Sequence, residues 1–324
     1  MLTFPEGKEI SQNKKIVMPL EQNFKTPILL NVFNRPEETK RIISILKEER
    51  VPILYVHCDG ARLNNPEDEK NIAIVRKLID DSISWDCDIH KYYEDKNLGC
   101  GLGPYAAISW FFSNVQEGII LEDDCLPNKD FFIYCQELLE KYRENLKVAT
   151  IGGTCRFPDK MAQYSYRFSA YTEIWGWATW RRVWEHYEFN FNVPEKLFFL
   201  KTWAHTLSWH AARRWTRILC NSIREGESKT YWDYQLELIS LYDKKIHIIP
   251  NVNLISNIGH NERGTHTLSP NCAWSNLPTD SILPLKHPKH ITLSHKDNRE
   301  YFNLRRSLSN KIRILTCFVK GLGK

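Results

Sequence analysis

Glu122, Asp123 and Asp124 follow directly on Ile119, Ile120 and Leu121. The apolar residues read as a short buried strand beginning where Gly118 breaks the preceding helical pattern, so the acids stand at the strand's C-terminal mouth. Adjacent carboxylates repel one another, and nothing is gained by placing them at an apolar edge unless a cation or hydrogen-bond donors offset the repulsion. A hard divalent cation, Mn²⁺ or Mg²⁺, supplies that offset with one or two protein carboxylates when phosphate oxygens complete its shell. The same residues also read as an acidic turn opening the next helix, with Asn128 or Asp130 as its cap. A further carboxylate, Asp233, stands between Trp232 and Tyr234 at the start of an apolar helical run, where the helix dipole alone would also favour it.

Elements able to position these acids alternate along the first half of the chain. Residues 1–25 are polar and read as a loose arm. Pro27 to Phe33 predicts a strand, followed by a helix with Pro36 in its first turn and Ile42, Ile43 and Leu46 on one face. Pro52 to Gly60 predicts a second strand, and Asn65-Pro66 opens a helix carrying Ile72, Val75, Leu78 and Ile79. A third strand is expected at Ile89 to Tyr93, then a helix with Ala106, Ala107, Trp110 and Phe111. The fourth strand leads into the acids, with a helix from Asp130 to Glu144 after it.

Such alternation implies a parallel sheet that binds ligands at its strand C-termini. The polar residues expected there are Asn34 and Arg35, Asp59, Asn97 to Gly103, and the acidic triplet. Their convergence predicts a nucleotide crevice. Gly99, Gly101 and Gly103 resemble a phosphate cradle but fit neither GxGxxG nor a Walker loop.

Beyond residue 150 the alternation fades. The spacing of Trp177, Trp180 and Trp184 predicts one face of a helix, packed in the core. Residues 196–226 read as more helix, bearing Arg213, Arg214 and Arg217. Residues 245–259 read as strand, turn, strand, and the loop after them carries His260 and His266.

The chain has 324 residues, enough for one large α/β domain or two small ones. Its eleven Trp and fourteen Tyr are many for that length, and they serve either as core or as flat faces for a sugar or base. Nine cysteines form no CxxC pair and no ligand-like spacing with His, so they read as reduced, buried thiols of a cytosolic protein. Neither an apolar signal segment nor a membrane-spanning run is expected. From Tyr301 to Lys324 there are six basic residues and no acid, interleaved with apolar ones. That end reads either as a helix packed on its own domain or as a peripheral contact with an anionic inner-membrane face. Nucleic-acid binding is not expected, because no dense basic stripe or reading motif is present.

The segments LLNVFNRP, YVHCDG, LEDDCLPNKDFF, EIWGWATWRRVW, YWDYQ and NIGHNERGTHT together resemble the GT-A glycosyltransferases over roughly Pro27 to Thr267. The chain is most similar to the inverting N-acetylglucosaminyltransferase I type and to related bacterial transferases of surface-polysaccharide biosynthesis. The resemblance implies an α/β, Rossmann-like, mostly parallel sheet flanked by helices. It divides the chain into an arm (1–25), a nucleotide-sugar half (26–150), a helical, aromatic-rich acceptor half (151–270) and a basic C-terminal extension (271–324).

It also implies roles. Asp124, last of a DXD-like acidic motif, would ligate manganese on the donor diphosphate, Asp123 would face the ribose, and Glu122 would support them. Arg35, with Asn34, Asn97 and Gly103, would lie near the nucleotide, and Asp59 would hydrogen-bond a uracil. The family's W-D-D-W segment matches Trp232-Asp233-Tyr234, with one acid only, which makes Asp233 the expected base and Glu173 its rival. Trp175, Gly176, Trp177, Trp232 and His266 would form the acceptor and sugar pocket.

The expected partners are a UDP-sugar and a glycan or lipid-linked acceptor. A sugar-phosphate nucleotidyltransferase is the competing enzyme reading, although NVFNRPEE stands where that class carries a GxGTRLxPLT-like start. A non-catalytic nucleotide- or glycan-binding module and a metal phosphohydrolase are further alternatives.

Overall fold

The computed structural model describes residues 24–225, 232–259, 274–293, 298–299 and 302–303. Its first half is a run of β–α units: β1 (Ile28–Val32), α1 (Pro36–Glu48), β2 (Ile53–Cys58), α2 (Pro66–Ser82), β3 (Asp88–Tyr93), α3 (Gly99–Asn114) and β4 (Glu117–Glu122). Pro36 and Pro66 occupy first-turn positions where no backbone N–H is required, and the Asn65 side chain accepts from Asp68 N at 3.1 Å. A short β5 (Cys125–Pro127), α4 (Asp130–Tyr142) and β6 (Val148–Gly152) follow. Asn128 Oδ1 accepts from Phe131 N at 3.1 Å, so Asn128 does cap the start of α4.

The second half comprises β7 (Tyr166–Ser169), β8 (Trp177–Trp180), α5 (Arg181–Trp184), α6 (Glu195–Thr206), α7 (Trp209–Glu225), α8 (Trp232–Tyr242), β9 (Ile246–Pro250) and β10 (Ile255–Asn257). Both halves build one eight-stranded sheet in the order β3-β2-β1-β4-β8-β6-β9-β7. Pairing is parallel for β2–β3, β1–β2, β1–β4 and β6–β9, and antiparallel where β8 and β7 join. The separate β5–β10 ladder is antiparallel. Because β2 and β4 flank β1 on its two sides, the connections diverge between β1 and β4, where a ligand crevice of a parallel sheet opens.

The sheet is covered on both faces. On β1, Ile28, Leu30 and Val32 join the core that holds Ile42 of α1, Ile72 of α2 and Leu138 of α4, while Leu29 joins the core of Phe111, Trp215 and Leu236 from α3, α7 and α8. The period of two follows from strand geometry, and each fully buried aliphatic side chain contributes about 1.5–3 kcal/mol.

The helical face expected for Trp177, Trp180 and Trp184 is corrected. Trp177 and Trp180 bound β8, and only Trp184 is helical. Gly176, at φ +62°, turns the chain into β8, whose backbone pairs with both β4 and β6. Strand pairing outweighs local spacing here, and the two tryptophans enter opposite cores.

The cysteine expectation also needs correction. Cys58, Cys125, Cys135 and Cys155 are buried free thiols, but Cys87 and Cys220 are half-buried and Cys100 is exposed. Cys272, Cys317 and the basic tail beyond Asn303 lie outside the described residues. Among the described residues no helix is long and apolar enough to cross a membrane.

Candidate functional site

The C-terminal ends of β1, β2 and β4 and the N-terminal turns of α3 and α8 border a cleft of about 1030 Å³. Asn34, Arg35, Asp59, Asn97, Gly103, Glu122, Asp123 and Asp124 all line it, together with Trp175, Trp232 and Asp233.

Parallel pairing of β1 with β4 sets Asn31 opposite Glu122, and the residues just beyond those strand ends meet. Arg35 Nη1 donates to Asp123 Oδ1 at 3.0 Å and to Asp124 Oδ2 at 2.8 Å, and Phe33 N donates to Asp123 Oδ2 at 3.3 Å. Burial disfavours the Arg35 charge, but Asp123 and Asp124 outweigh it and raise the guanidinium's pKa. Burial also pushes Glu122 above the usual carboxylate range, reinforced by Asp124 and Asp123, and pushes Asp123 upward against the pull of Arg35. Burial keeps the Glu122 proton to higher pH than an ordinary carboxylate, so Asp123 and Asp124 are the acids that Arg35 pairs with directly, and a cation in the cleft would compete with the proton on Glu122.

The end of β10 closes over Asp124. Ile258 N donates to the Asp124 carbonyl at 2.9 Å, and Asn257 Nδ2 approaches Asp124 Oδ1 at 3.4 Å. Gly259 lies so near that a Cβ there would overlap the Asp124 carboxylate. Among the described residues no three His, Cys, Asp or Glu side chains converge as a metal cage. A cation in this cleft would have to take most of its ligands from outside the protein, as a hard cation does from phosphate oxygens.

Asp59 has a different task. Its Oδ1 accepts from Gly60 N and Leu98 N, each at 2.8 Å, and its Oδ2 from Asn97 Nδ2 at 3.0 Å and Gly99 N at 3.1 Å. These four donors fill the carboxylate's acceptor sites. Burial pushes Asp59 above the usual carboxylate pKa even so. Asp59 pins the start of α3 to the end of β2, and a direct bond to a nucleobase would have to displace one of these donors.

Asp233 is the second residue of α8 and is half-buried in the cleft wall, near enough for its charge to act on Glu122 and Cys100. The preceding Trp232 is held by stacking on Trp177, with ring centroids 5.8 Å apart, and by the Tyr187 hydroxyl, which donates to its carbonyl at 3.0 Å. Trp175 carries the Arg156 guanidinium 4.2 Å from its ring centroid.

Glu173 does not line the cleft. It is buried and accepts from Arg156 Nε at 3.0 Å and Nη2 at 3.1 Å, so its carboxylate is committed to an ion pair. Gly176 and Trp177 serve the turn and the core rather than the cleft lining, and His266 lies outside the described residues.

The sequence expectation missed two parts of the cleft. Asn34 Nδ2 donates to Asp68 Oδ1 at 2.7 Å, Arg62 Nε donates to Asp68 Oδ2 at 2.5 Å, and the Arg62 guanidinium lies 5.6 Å from the Phe33 ring centroid. Asp68 looks in sequence like an ordinary first-turn acid. Asn257 and Gly259 carry no local signal, because they reach the cleft only through the β5–β10 ladder.

No family model matches the chain, and no curated protein matches it. Among solved structures, HddC from Yersinia pseudotuberculosis overlaps at a TM-score of 0.32 and 11% identity, over 50% of this chain and 80% of that one. The same protein complexed with GMP-PN gives 0.31 and 10%, over 50% and 79%. A UDP-glucose pyrophosphorylase complexed with UDP-glucose gives 0.25 and 10%, over 46% of this chain and 64% of that one. Overlaps this small carry no argument about family or activity.

Proposed function

We propose that this chain is a nucleotide-sugar-dependent transferase, and specifically a metal-dependent inverting glycosyltransferase that moves a sugar from a UDP donor to a glycan or lipid-linked acceptor. One observation carries the proposal. The acids and Arg35 at the ends of β4 and β1 share a single cleft with Asp233 and Trp232, which come from a separate helix. The groups that would bind the donor and the group that would activate the acceptor come, in this reading, from distant parts of the chain.

In this reading the acceptor oxygen bonds to the sugar's anomeric carbon from the face opposite the departing diphosphate, whose carbon–oxygen bond breaks. Asp233 takes the acceptor's hydroxyl proton, a contribution of about 10²- to 10⁴-fold. A divalent cation held by Asp124 would, when bound, offset the charge growing on the leaving diphosphate. Arg35 adds a fixed positive charge beside it and holds Asp123 and Asp124 apart from each other's repulsion. Trp175, half-buried in the cleft wall, offers a ring face on which a sugar can be held in line, while Trp232, buried against Trp177, anchors Asp233. A cytoplasmic setting at the inner membrane face would suit a lipid-linked acceptor.

Calorimetric titration with UDP, with and without Mn²⁺, tests the donor site. Binding that requires Mn²⁺ supports it, and absence of binding in both conditions removes it. The competing reading is a sugar-phosphate nucleotidyltransferase. Incubation with a UDP-sugar and pyrophosphate decides between them. Formation of UTP and a sugar 1-phosphate favours the nucleotidyltransferase, whereas release of UDP favours the glycosyltransferase.

A further inference from the structure

Away from the cleft, the corner between α6 and α7 exposes large apolar side chains together. Lys196, Leu200, Trp203 and Leu207 recur at three- and four-residue spacing along one stripe of α6 and its C-terminal turn. Trp203 is 45% exposed, Leu207 55% and Trp209, the first residue of α7, 54%. The Trp209 ring lies 6.3 Å from that of Trp203 and 4.7 Å from that of Phe199, so the exposed rings form one patch.

Leu207 is the more telling residue. It closes α6 at φ +49°, ψ +30°, a left-handed position that Gly or Asn takes most readily. A leucine there leaves its side chain exposed beside Trp203 and Trp209 rather than in the core.

Exposed basic groups stand at both ends of this patch. Arg213 and Arg217 continue the exposed stripe of Trp209 along α7 at four-residue intervals, and Lys196 stands at the other end, on α6. A two-fold contact with a second copy of this face would set arginine against arginine. An anionic lipid surface complements it instead, with tryptophan at headgroup depth, leucine below and basic groups against lipid phosphate.

We propose that the α6–α7 corner is a docking surface for an anionic membrane. Its position suits an enzyme that meets acceptors at a bilayer. Trp215 of α7 packs on Tyr234, with ring centroids 6.2 Å apart, and Tyr234 follows Asp233 in the cleft wall. The docking is independent of the transfer chemistry and stands whether or not that reading does.

The test is co-sedimentation of the full-length chain with vesicles of phosphatidylcholine alone, or containing about 30% phosphatidylglycerol. Binding is expected only to the anionic vesicles and should weaken with salt. Two sets of substitutions separate the contributions. Trp203→Ser with Trp209→Ser and Leu207→Asn removes the apolar patch, and Arg213→Gln with Arg217→Gln removes charge; each should weaken binding roughly tenfold or more. The arginine pair is exposed, and its thermal midpoint is expected to match the parent's, so this arm stands even if the tryptophan variant folds poorly.

Calorimetric UDP binding should be the same in parent and variants, so failure of the cleft assignment and failure of this one are read separately. No sedimentation, equal sedimentation with both lipids, or anionic binding unchanged in both variants would overturn the proposal. So would a dimer in light scattering that the apolar-patch variant dissolves.

Discussion

Arg35 divides one guanidinium between Asp123 and Asp124, while a cation would share Asp124 with it. Asp124→Ala removes the proposed ligand and half of that pairing, so the Mn²⁺ dependence of UDP binding is expected to vanish. Calorimetry with and without metal would show it, and retained dependence would remove Asp124 from the metal site. The protons on the neighbouring acids compete with any cation. Burial raises the pKa of both Glu122 and Asp123, so these groups lose their protons above the usual carboxylate range. Burial pushes Asp123 to about 6 and Glu122 to about 8, so metal-dependent UDP affinity should climb as pH rises from about 5 to about 9, and a flat profile would mean that these groups do not face the metal. Asp59 makes a third case. In Asp59→Asn an amide NH₂ replaces an acceptor facing several N–H donors, at a cost of about 1–3 kcal/mol, which should appear as a lower thermal midpoint.

Two elements bring the distant halves of the chain to the cleft. The end of β10 reaches Asp124 through its ladder with β5, and Gly259 leaves no room for a methyl group against that carboxylate. Gly259→Ala should push the segment away from Asp124 and weaken Mn²⁺–UDP binding by about tenfold or more, with the thermal midpoint little changed. A large fall in the midpoint with intact binding would assign Gly259 to folding instead. Helix α8 presents Asp233 in its first turn, with Trp232 anchored by Trp177 and Tyr187. Asp233→Asn keeps the shape and removes the proposed base. UDP binding should survive while turnover falls by about 10²-fold or more, measured as UDP released in the presence of acceptor.

Across the whole molecule, two buried histidines tie stability to pH. Burial, aided by the charge of Arg76, holds His57 down to about 4, and burial, aided by His205, holds His247 down to about 3. Unfolded histidine takes up its proton near pH 6.5, so below that value the unfolded chain binds more protons than the folded one. Their stabilising contribution is complete above about pH 6.5 and is lost as pH falls through the folded values, on the order of 3 kcal/mol for His57 alone. Glu122 and Asp123, whose raised values act in the opposite sense over the same range, are common to parent and variant, so the loss of urea stability between about pH 7 and about pH 5 should be smaller in His57→Gln with His247→Gln than in the parent, and equal losses would contradict it. The β–α alternation from β1 to α4 was legible in the residues themselves, because strand period, helix period, Pro36 and Asn65 all act within a few positions. The β1–β4 side of the cleft was legible for the same reason: a parallel sheet gathers its strand ends, so Arg35 and the acids had to meet. Local spacing misplaced Trp177 and Trp180, since β8 exists only because β4 and β6 flank it. Nor could it foresee the Arg156–Glu173 pair or the closure of Asn257 and Gly259 over Asp124. Residues 17 positions apart or 133 positions apart become partners only when the chain packs, and that packing is what occupied Glu173 and completed the cleft.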